Sequence, residues 1–271
     1  MSDSSSPFAS ERTAEAPRSW LARVNPVAKL AASAVIALPL VFTLDTVSAA
    51  VAVVLECVLF LFAGLSWRTF WLRTAPVWIA APLTGITIAL YGRSSGTVYF
   101  EWLIMRVSEG SLELALATFL RVLAIALPSV VLFVTVDPTD LADGLAQVWR
   151  LPARFVMGAL AGLRMVGLFF DDWRALELAR RARGVADAGR LRRFVGMAFA
   201  LLVLSIRRGS KLATAMEARG FGADIPRTFA RESRFGASEW MLIAIAAAVS
   251  IVAVAAAVAT GAFNFILGPQ E

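Results

Sequence analysis

Histidine is absent from the 271-residue sequence, and cysteine occurs once, as Cys57 inside an apolar run. Each absence removes a class of chemistry. One cysteine cannot form a disulfide within the chain. A metal site built on imidazole or thiolate lacks its donors, and the Ser–His and Cys–His pairs of nucleophilic catalysis are excluded. There is no G-x-x-x-x-G-K-[ST] loop: Gly209-Ser210-Lys211 lacks the preceding glycine spacing and the strand that such a loop needs. No cofactor and no metal are expected. Charge is scarce as well, at 17% Asp, Glu, Lys and Arg. The basic stretches carry no interleaved aromatics for stacking bases, so no nucleic-acid partner is expected despite the net charge of +6.

What the chain has in abundance is apolar surface. It is 59% hydrophobic with a mean hydropathy of +0.72, against about half apolar in a soluble domain. Spans of about 20 residues are read at Lys29–Leu44, Thr46–Leu65, Thr74–Tyr91, Leu112–Val136 and Trp240–Phe263. Asn25-Pro26 opens the first, with proline where a missing N–H costs little. Asp45 makes a tight turn. Trp67, Arg68, Trp71 and Arg73 form an interfacial, positive corner, and Tyr99 and Trp102 anchor a polar loop from Gly92 to Ser111. Pro39, Pro76, Pro82 and Pro128 lie within spans and read as tolerated kinks or as marks of an adjustable membrane part. Met1 to Asn25 is polar and lacks the apolar core of a signal peptide, so a flexible tail is expected.

Between Asp137 and Gly236 the character changes. Asp137-Pro138 reads as an N-cap followed by proline at the first helical position, opening a short helix to Trp149. Leu151-Pro152 opens a second helix to about Arg183, and Asp187 can cap a third ending at about Arg219. Apolar faces carry Phe155, Leu160, Leu163, Val166 and Phe170 on one, and Phe194, Met197, Leu201, Leu204 and Leu212 on the other. Arginines fill the opposite faces, as in helices that lie along an interface. Gly158 and Gly162 have the small-xxx-small spacing that admits a crossing helix. Of the 26 Lys and Arg, four lie up to Lys29, two in the Arg68–Arg73 corner and seventeen between Asp137 and Gly236. With five alternating spans those 23 share one side, which is therefore cytoplasmic and places the C-terminus outside.

Two tripeptides end these helices: Ala182-Arg183-Gly184 and Ala218-Arg219-Gly220. One copy is accounted for by capping, with arginine at the negative end of the helix dipole and glycine as terminator. Two copies, 36 residues apart and each closing a basic helix, point further. An arginine on a rigid helix tip offers a planar fork to a partner carboxylate.

Thr135-Val136-Asp137-Pro138-Thr139-Asp140-Leu141, Leu151-Pro152, Arg180-Arg181-Ala182-Arg183-Gly184 and Ala215-Met216-Glu217-Ala218-Arg219-Gly220-Phe221, in that order, resemble the transmembrane T component of energy-coupling factor (ECF) transporters, the CbiQ/BioN-like family of coupling proteins in a class of ABC importers. Asn25-Pro26-Val27-Ala28-Lys29-Leu30 is similar to the family's Asp-Pro-x-x-Lys-Leu opening, with Asn25 in place of the acid. The resemblance implies that the two tips dock into grooves on two cytoplasmic ABC ATPases through Arg183 and Arg219. It also implies that the apolar faces of crossed coupling helices hold a separate substrate-binding membrane (S) subunit for vitamin or metal-ion uptake.

Glu56 and Arg121 are intramembrane charges, each about 15 Å from the outer surface at ~1.5 Å per residue. Glu56 facing a wet crevice with Arg121 snorkelling, an ion pair between the two, and a transport role are all open readings; the pair is the expectation carried forward. The chain is thus expected to be an all-α membrane protein with about five transmembrane helices and three cytoplasmic-side amphipathic coupling helices. Its expected divisions are a tail over 1–25, four spans over 26–136, a coupling region over 137–236, and a last span with a short outer tail over 237–271. It is read as a non-catalytic, multi-pass protein of the bacterial inner membrane. A membrane-embedded enzyme would need more than the helix-start cluster Asp137, Asp140, Asp143 or the pair Asp171-Asp172. A self-contained transporter would usually show repeated spans, which are absent.

Overall fold

Asn25 starts the first long helix. Its side-chain oxygen accepts the Val27 N–H at 3.0 Å, and Pro26 occupies the first helical position. In the computed structural model the described residues are 20–62, 64, 66–92, 95–102, 105–184, 189–221, 223, 228–229 and 231–264. The elements are α1 (Trp20–Arg23), α2 (Pro26–Phe42), α3 (Thr46–Phe62), α4 (Trp67–Tyr91), β1 (Val98–Trp102), β2 (Met105–Ser108), α5 (Glu109–Phe133), α6 (Pro138–Gln147), α7 (Ala153–Ala182), α8 (Arg190–Ala218) and α9 (Ala237–Ala259). They fall into two compact units: the chain up to Leu141 together with the segment from Arg234, and Ala142–Ser233.

The first unit is a helical bundle. α5 packs along α4, α3 and α2, while α9 packs on α2 and α3. Fully buried alanines, Ala28, Ala52, Ala124 and Ala253, sit in its core beside Leu40, Val131 and Leu242. Small residues let helix backbones approach where there is no water to drive them together. A second cluster, Val77 and Ala81 with Leu123 and Leu127, joins α4 to α5. α2, α4 and α5 run through Pro39, Pro76, Pro82 and Pro128 as continuous helices.

Helix starts carry the boundary differences from the sequence reading. Ser66 accepts the Thr69 N–H at 3.3 Å and caps α4 seven residues ahead of the expected Thr74, so the Trp67–Arg73 corner is the first two turns of that helix. Ser108 and Ser111 form a reciprocal capping box that starts α5. The expected polar loop before α5 contains an antiparallel hairpin, β1 on β2. Tyr99 is exposed on it; the side chain of Trp102 lies outside the described residues. The expected tail is structured at its end, where α1 forms and Leu21 and Val24 are buried in the core; residues 1–19 lie outside the described residues.

By length and composition α4, α5, α7 and α9 are long and apolar enough to cross a membrane. α2 and α3 are apolar helices of 17 residues each, about 25 Å at ~1.5 Å per residue, at the short end of the spanning range. α7 meets the same criterion although the sequence reading laid it along the interface: its apolar first half is followed by Asp171, Asp172, Arg174, Glu177, Arg180 and Arg181.

In the second unit α6 packs on the start of α7 through Ala142, Ala146 and Val156. Gln147 ties down the segment before α9, donating to the Arg231 carbonyl at 2.8 Å and accepting the Ser233 N–H at 2.9 Å. α8 begins at Arg190 with Gly189 at its N-cap and no side-chain cap; Asp187, the expected cap, lies outside the described residues.

Candidate functional site

α7 and α8 end alike. Arg183 has φ −89°, ψ 3° and Arg219 has φ −90°, ψ 11°; Gly184 and Gly220 follow in the left-handed region at φ +66° and +76°. The Gly184 N–H donates to the Arg181 carbonyl at 3.1 Å, and the Gly220 N–H donates to the Glu217 carbonyl at 2.9 Å. On α8 the Phe221 N–H also reaches the Met216 carbonyl at 2.9 Å, completing a Schellman motif. Left-handed backbone is strained for any residue with a Cβ, so each tip needs its glycine. Ala182 and Ala218 are the last helical residues before these caps.

The neighbouring charges separate the arginines by use. Arg181 donates to Glu177 Oε1 at 2.8 Å and Arg193 donates to the same oxygen at 2.7 Å. The Arg180 guanidinium lies against Gly196, where a Cβ would come within 3.3 Å of it. Arg208 holds Asp172 through two bonds, at 2.5 and 3.2 Å. Arg183 and Arg219 are exposed and form no ion pair among the described residues. Both guanidiniums thus stand exposed at the negative ends of their helices.

The two helices meet over one patch. Trp173 and Phe194 rings lie 5.7 Å apart, Met197 and Leu201 are buried there, and the Asp172–Arg208 and Glu177–Arg193 pairs flank them. The Gly158–Gly162 expectation is corrected by this geometry. A Cβ on either glycine would meet nothing within 4 Å, so these glycines do not form the crossing; Gly196 instead has the Arg180 guanidinium beside it. Sequence spacing identified small residues but could not say which of them faces a neighbour. Asp172 and Glu177 were legible only as rare acids in an arginine-rich stretch. Large apolar side chains on both helices remain exposed, including Phe155, Leu163, Phe170, Phe199 and Ile206.

The expected Glu56–Arg121 pair is also corrected. Both Glu56 carboxyl oxygens are buried with no hydrogen-bond partner among the described residues, and no ion pair joins Glu56 to Arg121. Asp45 Oδ1 caps α3 by accepting the Ser48 N–H. Equal depth from the surface does not bring two side chains onto facing sides of their helices. Lys29 finds its partner instead at the end of α5: its fully buried ammonium donates to Thr135 Oγ1 at 2.8 Å. Asn25, which stands where the resemblance has an acid, caps α2, donates its N–H to Glu239 Oε1 at 3.1 Å and its amide to the Arg234 carbonyl at 3.0 Å.

Residues 17–228 match the family described as CbiQ, cobalt transport protein; the match takes in both tips. The chain is 30% identical over 196 residues to the energy-coupling factor transporter transmembrane protein EcfT of Limosilactobacillus fermentum, covering 68% of this chain and 73% of that protein. It is 27% identical over 223 residues to the EcfT of Brevibacillus brevis, covering 78% and 84%. The paired helix tips, the apolar bundle and these matches agree: the chain belongs to the CbiQ family and is the transmembrane component of an energy-coupling factor transporter.

Proposed function

We propose that this chain transmits the motion of two cytoplasmic ABC ATPase subunits to a separate membrane subunit that binds a vitamin or metal ion. Arg183 and Arg219 are the ATPase contacts, each offering a guanidinium fork to acidic groups in a groove of its ATPase. Closure of the ATPases on ATP then pulls on two tips and changes the angle between α7 and α8. The exposed apolar residues of these helices hold and reorient the substrate-binding subunit, since large exposed apolar patches mark interaction surfaces. The chain itself carries out no chemistry. The N-terminus is cytoplasmic and the C-terminus outside.

The observation that carries this reading is the matched pair of helix ends, each an exposed arginine followed by a left-handed glycine, at which Arg183 and Arg219 form no ion pair among the described residues. Arg183→Glu and Arg219→Glu place a like charge before the acidic acceptor. Each is expected to weaken ATPase capture by about 30-fold or more, from a loss of ~2–5 kcal/mol, with the chain still inserted. The double variant is expected to lose the complex. Unchanged recovery of both ATPases with the double variant in a pull-down would refute the assignment.

A further inference from the structure

Glu56 lies two-thirds of the way along α3 and lines an apolar cavity of about 180 Å³ within the helical bundle. Ile36, Leu59, Val131 and Leu242 are among its walls, from four different helices. Among the described residues that line it, the polar side chains are the Glu56 carboxyl and the Trp20 indole. Glu56 is 1% exposed and neither carboxyl oxygen has a partner among the described residues. An acceptor buried in this way is costly unless something donates to it. The helices around it do not, and the proposed coupling role does not use this residue.

Three occupants can be compared on chemistry. A lone water is held by two to four polar partners, and these walls supply almost none. A phosphate-bearing lipid head would need cations, and no Lys or Arg is among the described residues that line the cavity. A hydrocarbon chain ending in a small donor matches both features: the chain fills the walls and the donor meets the carboxyl. Access exists, because Phe62 and Trp20 in the lining are exposed at 80% and 41%. We infer that this cavity is a binding site for an alkyl amphiphile with a hydroxyl or amine head, taken up from the surrounding lipid, with Glu56 as the group that receives its donor.

The test uses the full chain in lipid nanodiscs and a diazirine-bearing octanol as photolabel. Saturable labelling of Leu59, Phe60 or Val131 is expected. Octanol or octylamine should displace the label at about tenfold lower mole fraction in the bilayer than octane, the effect of one hydrogen bond of ~1.4 kcal/mol. Whichever of the two displaces better identifies the head as hydroxyl or amine. Glu56→Leu should weaken labelling about tenfold, while Glu56→Gln, which keeps an acceptor oxygen, should retain most of it. Displacement by octane as effective as by octanol and octylamine would overturn the inference, as would labelling outside the cavity. Those two measurements need only the unaltered protein, so they decide the matter even where the leucine variant does not fold.

Discussion

Single residues divide sharply here by whether a Cβ, a charge or a polar atom has somewhere to go. Gly220 sits at φ +76°, and Gly158 lies within α7 with open space where a side chain would project. The same substitution therefore has opposite signs at the two positions. Gly220→Ala forces a Cβ into left-handed backbone and should cost about 1 kcal/mol. Gly158→Ala removes a helix-interior glycine and should stabilise by up to ~1 kcal/mol. Thermal unfolding of the two variants in one detergent reads both. A destabilised Gly158→Ala protein would mean that this glycine is packed after all, as its spacing with Gly162 suggested. The pattern of tripeptides was legible in the sequence because capping glycines and charged helix ends are local chemistry. The surroundings of Glu56 and the partners of Lys29 and Asn25 were not, because each depends on the rotation of one helix against another.

At the scale of elements, the α7–α8 crossing is held by apolar contact with charge on its flanks. Asp172 and Arg208 are 36 residues apart in sequence and only partly exposed. Partial solvent screening limits such a pair to about 0.5–1 kcal/mol. Asp172→Arg and Arg208→Asp should each loosen the crossing, and the charge-swapped double variant should recover part of the loss in unfolding measurements. Strictly additive losses would mean that the pair contributes no coupling. Helix existence was well read from the sequence: α2, α3, α5, α6, α7 and α9 fall close to the expected segments. The misses share a cause. The Ser66 cap of α4, the Ser108 capping box and the hairpin between α4 and α5 are set by short-range hydrogen bonds, whereas apolar periodicity reports only where a helix meets lipid or core. α7 shows the converse limit, because its apolarity alone satisfies the length and composition of a span while its second half carries the charges that grip α8.

For the whole molecule, orientation decides whether the proposed coupling is physically available. ATP-driven subunits can grip Arg183 and Arg219 only from the side where ATP is present. Seventeen of 26 Lys and Arg lie between Asp137 and Gly236, and charge excess of this kind keeps a segment on the cytoplasmic face. The hairpin between α4 and α5 carries Arg106, paired with Glu101 on the same hairpin, and the proposed orientation puts it on the outer side. Cys57 is the only cysteine, so a Cys57→Ala background gives a clean test with single cysteines. Thr97, at the hairpin, and Gly189, before α8, are both exposed. In intact cells Thr97→Cys should react with a membrane-impermeant maleimide, and Gly189→Cys should react only after permeabilisation. The reverse pattern would place both arginine tips outside the cell. It would remove the coupling proposal at once, while leaving the fold, the tip geometry and the Glu56 cavity as they are.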